Sequence, residues 1–136
     1  MTAQGTSIAV AVGIVVAFGF DRLVQRVAPR HATRLDALAL VVAAAIYPAL
    51  RSGEFREAGG LREFAGLGAY GALGLVTACK PTRPLSELVA AAWASHALFD
   101  LLHDKGHQSR LPAWYPAFCA GFDIALAALM RRDRCR

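Results

Sequence analysis

The chain has 136 residues, is 56% hydrophobic with a mean hydropathy of +0.39, and sets 15 Lys and Arg against 10 Asp and Glu for a net charge of +5. Its apolar residues stand in blocks separated by Arg-rich connectors, the composition of an integral membrane protein; a soluble domain would show amphipathic periods instead. The length excludes a second domain, and basic residues confined to connectors exclude a nucleic-acid partner.

The first segment, Thr6 to Val24, contains thirteen uninterrupted apolar residues from Ile8 to Phe20. It lacks a basic n-region and a small-residue cleavage site, so it reads as a mature transmembrane helix. Asp21 beside Arg22 reads as a locally neutralised pair, and Pro29 with the run Arg30 to Arg34 ends the helix. The second and third segments, Leu35 to Leu50 and Phe64 to Cys79, are short of the ~20 residues needed to cross roughly 30 Å of hydrocarbon. They must recruit flanking residues, thin the bilayer or be partly re-entrant. Between them, Glu54 to Glu63 reads as a solvated polar loop, with an interfacial half-helix as the alternative. In the third segment Gly68 with Ala72 and Gly74 with Ala78 are small-xxx-small pairs that let backbones approach, which predicts a packing helix at the bundle centre. A lipid tail or quinone filling the glycine face is the alternative.

Lys80-Pro-Thr-Arg-Pro84 makes a tight turn before the fourth segment, Leu85 to His103, begun at Pro84 or capped by Ser86. The fifth, Leu111 to Met130, holds one charge, Asp123, in twenty residues. No internal repeat or low-complexity stretch occurs. The sequence thus predicts one all-α domain over residues 1–136, an integral membrane bundle of about five transmembrane helices.

With the N-terminus outside, ten Lys and Arg fall on the inner side and five (Arg51, Arg56, Arg62, Lys105, Arg110) on the outer, a division that favours N-out, C-in. The inner excess suits contact with anionic lipid. Cys79 and Cys135 then lie on the reducing side and Cys119 within the outer half of the membrane, so no structural disulfide is expected.

The run Ser95 to Asp104 concentrates the chemistry. Positions i, i+4 and i+7 lie within roughly 40° on a helix, so His96, Asp100 and His103 form one polar stripe. Ionisable groups are costly in a membrane and mark binding, proton transfer or helix association. The fourth helix runs outward and the fifth, from about Pro112, runs back; counting ~1.5 Å per residue brings Asp123 level with His96. The short connection Lys105 to Leu111 makes the two antiparallel neighbours, with Cys119 on the face of Asp123 as a soft fourth donor or a small hydrophobe. His103, Asp104 and His107 would form a wetter outer tier. Imidazole with carboxylates suits Zn, Fe, Mn or Cu, and a cation would offset the charge of a buried Asp. The metal set expected is His96, Asp100, His103 and Asp123. The competing readings are hydrogen-bonded pairs, His96 with Asp123 and Asp100 with His103, that only specify packing, and a proton or ion path continued inward by Tyr47, Tyr70 and Thr77. Haem is disfavoured, because His96 and His103 lie roughly 10 Å apart along one face and no other span carries a His. His-Glu-x-x-His, Cys-x-x-Cys and Gly-x-Ser-x-Gly are absent.

From Leu88 to Leu126, His-x-x-x-Asp-x-x-His-Asp followed by Trp114-Tyr-Pro-x-Phe-Cys-x-x-x-Asp123 resembles a family of small, uncharacterised bacterial integral membrane proteins. Members carry a similar His, an Asp often preceded by Trp, a following His pair, and later a Cys and an Asp; here Phe99 stands for the Trp and Asp104 for the second His. The likeness is strong over the last third of the chain and loose from Arg34 to Cys79. It implies a bacterial cytoplasmic membrane location and no known activity. A fainter similarity is to membrane-embedded zinc hydrolases of the ceramidase type, which have seven spans and further motifs absent here. The function expected is an outward-facing metal site acting on a lipid-like substrate through metal-bound water. The alternatives are an accessory subunit of a larger membrane complex, with other subunits or further copies of itself as partners, and an ion-pathway component.

Overall fold

The computed structural model describes residues 3–51, 56, 58–102 and 110–132. Among these the chain is helical: α1 (Ala3–Val27), a 3-10 turn (Pro29–His31), α2 (Ala32–Ala49), α3 (Ala58–Cys79), α4 (Arg83–Leu102) and α5 (Tyr115–Arg132). α2 and α4 finish at one end of the bundle, the upper end, where α3 and α5 begin.

Helix bounds follow local chemistry. The Thr82 hydroxyl accepts the Leu85 N–H at 3.4 Å and the Thr82 carbonyl accepts that of Ser86 at 2.9 Å, so Thr82 caps α4. Of the two expected starts, Pro84 lies one residue inside the observed one, and Ser86 is buried one turn inside the helix. Pro116 stands in the first turn of α5, where its missing N–H costs no helix bond, and the residues before it form a turn as far as Trp114, closed by the Tyr115 N–H on the Pro112 carbonyl at 2.9 Å. α5 therefore starts later than the expected Leu111. α3 starts earlier than expected, at Ala58, so residues 58–63 are helix rather than solvated loop. Its 22 residues rise roughly 33 Å, which removes the length deficit read from the sequence. α2 with its leading turn makes 21 residues, Pro29–Ala49.

Three helices, α1, Pro29–Ala49 and α4, are long and apolar enough to cross a membrane. α3 is not among them because Arg62 and Glu63 fall within it, nor is α5, which holds Asp123, Arg131 and Arg132.

α4 has neighbours on three sides, packing along α5 and touching α2 and α3; α5 packs closely along α1 and α4, whereas α3 packs closely along α2 alone. This corrects the central place expected for α3. The reason is where small residues meet: Ala9, Gly13 and Ala17 line one face of α1, and Ala117, Gly121 and Ala125 face it from α5. A Cβ at Gly13 would overlap the Phe118 carbonyl, and one at Gly121 would overlap that of Val10, so two backbones touch there. On α3, Gly74 serves similarly against Ala37 and Val41 of α2, but Gly68 has open space around it. α1 and α2, though consecutive, scarcely touch.

The lower half of the core has an apolar cluster, Ala17, Leu40, Val89, Trp93, Leu126 and Met130 with smaller neighbours, and also buries Asp21, Asp36, Thr77 and Ser86. Trp93 Nε1–H donates to the Asp36 carbonyl at 3.3 Å, tying α4 to α2. Many large apolar side chains point outward instead, among them Val15, Leu23, Val42, Leu61 and Leu98. Apolar exposure on this scale marks a surface that meets lipid or other protein.

Candidate metal centre

His96 and Asp100 stand one turn apart on the buried face of α4, which also carries Val89, Trp93 and Ala97. Asp123 comes from the buried face of α5, in register with Ala120 and Ala127. Because the antiparallel helices are close neighbours, the three side chains converge, and all are at most 2% exposed. His96 Nδ1–H donates to Asp123 Oδ2 at 2.7 Å, and the same nitrogen lies 3.6 Å from Asp100 Oδ2. One donor atom from each residue lies within 4.8 Å of the others.

Asp100 is the unusual member. It is fully buried, and its oxygens make no close hydrogen bond among the described residues; His96 Nδ1 at 3.6 Å and the Tyr47 phenol are the groups that act on it. A carboxylate removed from water without close hydrogen bonds is costly, and a bound cation would supply the missing charge. One imidazole and two carboxylates make a three-ligand donor set for a first-row metal, with further coordination positions open to water or substrate. His96, Asp100 and Asp123 therefore can hold a metal ion, as the sequence spacing predicted. His103, the fourth expected ligand, and the outer-tier groups Asp104 and His107 lie outside the described residues. Cys119 is half-buried and does not belong to the converging group.

Aromatic rings wall the site. Phe99 stacks on the His96 ring at 5.8 Å, and Tyr70 meets it edge-on at 5.1 Å from α3. The Tyr70 hydroxyl shares a hydrogen bond of 3.1 Å with Ser95 Oγ. Tyr47 stands edge-on to Phe99 and Tyr115 at 5.9 and 6.4 Å, with its phenol interacting with Asp100. Trp93 closes the lower side at 6.4 Å from the imidazole. Of the three groups expected to extend a proton path inward, Tyr47 and Tyr70 thus belong to the wall of the site. Thr77 donates to the Leu73 carbonyl of its own helix at 2.8 Å.

Sequence reasoning missed a second buried charge pair above the site. Arg51 Nη1–H donates to Glu63 Oε1 at 3.0 Å, with side chains only 3% and 1% exposed, joining the end of α2 to the first turns of α3. The signal was periodicity: Gly60, Glu63, Gly71, Gly74 and Thr77 share the buried face of α3. Asp21 was also misassigned. It lies on the buried face of α1 with Ala17 and Val24, while Arg22 is exposed, so the two do not share a face.

No protein-family model, no curated protein and no solved structure matches this chain.

Proposed function

We propose that this chain is a small multi-pass protein of a bacterial cytoplasmic membrane that binds a transition metal at His96, Asp100 and Asp123 and uses it on a lipid-like substrate. In this reading all five helices cross the bilayer with the N-terminus outside and the site in the outer half, following the Lys and Arg asymmetry. α3 and α5 cross as well, with the charges Glu63 and Asp123 turned into the bundle. The resemblance to small bacterial membrane proteins with the His-x-x-x-Asp-x-x-His pattern agrees with this reading. The metal would lower the pKa of a bound water or polarise an ester or amide carbonyl. The chain's own groups would bind the ion, orient His96 through Asp123 and, with Tyr47, Phe99 and Trp93 around it, restrict water.

The carrying observation is the buried convergence of two carboxylates and an imidazole, in which the Asp100 oxygens make no close hydrogen bond among the described residues. Elemental analysis of detergent-purified protein tests it. One equivalent of Zn, Fe, Mn or Cu in the wild type, lost in His96→Ala and in Asp100→Asn, is the expected result. Metal-free wild-type protein after expression in metal-supplemented medium would overturn it.

The 2.7 Å bond from His96 to Asp123 favours a second reading, in which the pair only fastens α4 to α5 within an accessory subunit of a larger complex. That reading expects no metal, a loss of stability in Asp123→Asn, and co-purifying membrane partners.

A further inference from the structure

α3 and α4 are consecutive, yet they pack sparsely and leave between them a groove of about 490 Å³ at the upper end of the bundle. Arg62, Ala65, Gly66, Ala69 and Tyr70 line it from α3, and Phe99 and Leu102 from α4. The α3 residues follow the i, i+3, i+4, i+7, i+8 spacing of one helix face, so the groove runs along the helix for roughly 12 Å. That is close to the depth of one leaflet, half of the roughly 30 Å hydrocarbon core. Its floor is made of small apolar residues, and its upper limit carries the exposed cation Arg62.

We propose that this groove binds one anionic phospholipid, its acyl chain along Ala65, Gly66 and Ala69 and its phosphate on the Arg62 guanidinium. The charge distribution selects this occupant: an apolar slot a leaflet deep ends in a planar cation that pairs with phosphate, and among the described residues no carboxylate lines it to receive the ammonium of a zwitterionic headgroup. Two rings of the groove, Tyr70 and Phe99, are also the rings that touch His96, at 5.1 and 5.8 Å. A lipid in the groove is therefore one aromatic layer from the metal centre. Lipid binding stands on the groove itself, whereas the lipid's role as substrate rests on the metal reading of the preceding section.

Gly66 offers the means of testing this, because a Cβ there would sit at ordinary contact distance, 3.7 Å from Phe99 and 3.8 Å from Tyr70, so a larger side chain fills the slot without striking backbone. Native mass spectrometry of the purified full chain, supplied with phosphatidylglycerol or phosphatidylcholine, reads retained lipid, and metal is assayed in the same preparations. The wild type is expected to retain one phosphatidylglycerol in preference to phosphatidylcholine. Gly66→Leu, and Ala69→Phe as an independent block, should lose it while keeping their metal. Arg62→Gln should weaken phosphatidylglycerol retention by roughly tenfold, the value of a charge-assisted contact, and abolish the headgroup preference. Equal retention of both lipids by the wild type, or unchanged retention in both blocked variants, would overturn the proposal. Selective retention by a metal-free wild type would support the groove and sink the metal reading alone.

Discussion

Glu63 and Arg51 show how one residue's meaning depends on its neighbours in space. In the sequence, Glu63 ends a stretch that alternates Arg and Glu around two glycines, the pattern of a solvated connection. In the folded chain it is 2% exposed and bonded to Arg51, while Arg62 next to it is exposed. Removing one partner of a buried pair strands the other charge, typically at a cost of about 3–5 kcal/mol. Glu63→Gln should therefore lower the thermal unfolding midpoint of the detergent-solubilised protein strongly. The double replacement Arg51→Met with Glu63→Leu should recover most of the loss, since well-packed apolar residues often match a buried pair. If Glu63→Gln melts like the wild type, the pair does not hold α2 to α3. His96, Asp100 and Asp123 were readable by contrast, because helical spacing and depth depend only on residue counts once the helices are antiparallel neighbours. The wall around them was not, since Tyr47 and Tyr70 arrive from helices whose order around the bundle no local pattern specifies.

At the scale of elements, the lesson lies in the glycines. Twelve occur in the chain, and their density in α3 suggested that α3 was the packing helix. Gly68 faces open space, however, whereas Gly13 and Gly121, each flanked by alanines four residues away, are pressed against the opposing backbone. Overpacking a close contact typically costs about 1–3 kcal/mol. Gly13→Val and Gly121→Val should each destabilise the protein by at least that much in detergent unfolding. Gly68→Ala should be neutral or slightly stabilising, because Ala exceeds Gly in helix propensity by up to ~1 kcal/mol. Equal tolerance at all three positions would refute the α1 to α5 contact. Spacing alone announced the right class of interface and the wrong location for it. Small-xxx-small pairs also occur on faces that meet only lipid, and nothing within one helix distinguishes the two.

Taken whole, the molecule presents a ring of exposed apolar side chains around a core that buries polar groups at both ends, with His96, Asp100 and Asp123 gathered in the upper half. If the upper end faces outward, Cys79, exposed at the lower end of α3, faces the cell interior. In a Cys135→Ser background, a membrane-impermeant maleimide should leave Cys79 unlabelled in intact spheroplasts and label it after permeabilisation. Labelling in intact spheroplasts would reverse the proposed orientation and move the site to the inner half.

The sequence by itself determined the helical class, the apolar blocks, and the convergence of His96, Asp100 and Asp123, because helical rise and period convert residue number directly into face and depth. Only the tertiary structure decided that the close backbone packing joins α5 to α1, that Glu63 is buried with Arg51, and that a groove opens beside the imidazole. Those features depend on which helix faces meet, and that choice is made by the summed packing of all the helices at once, a quantity no single segment carries.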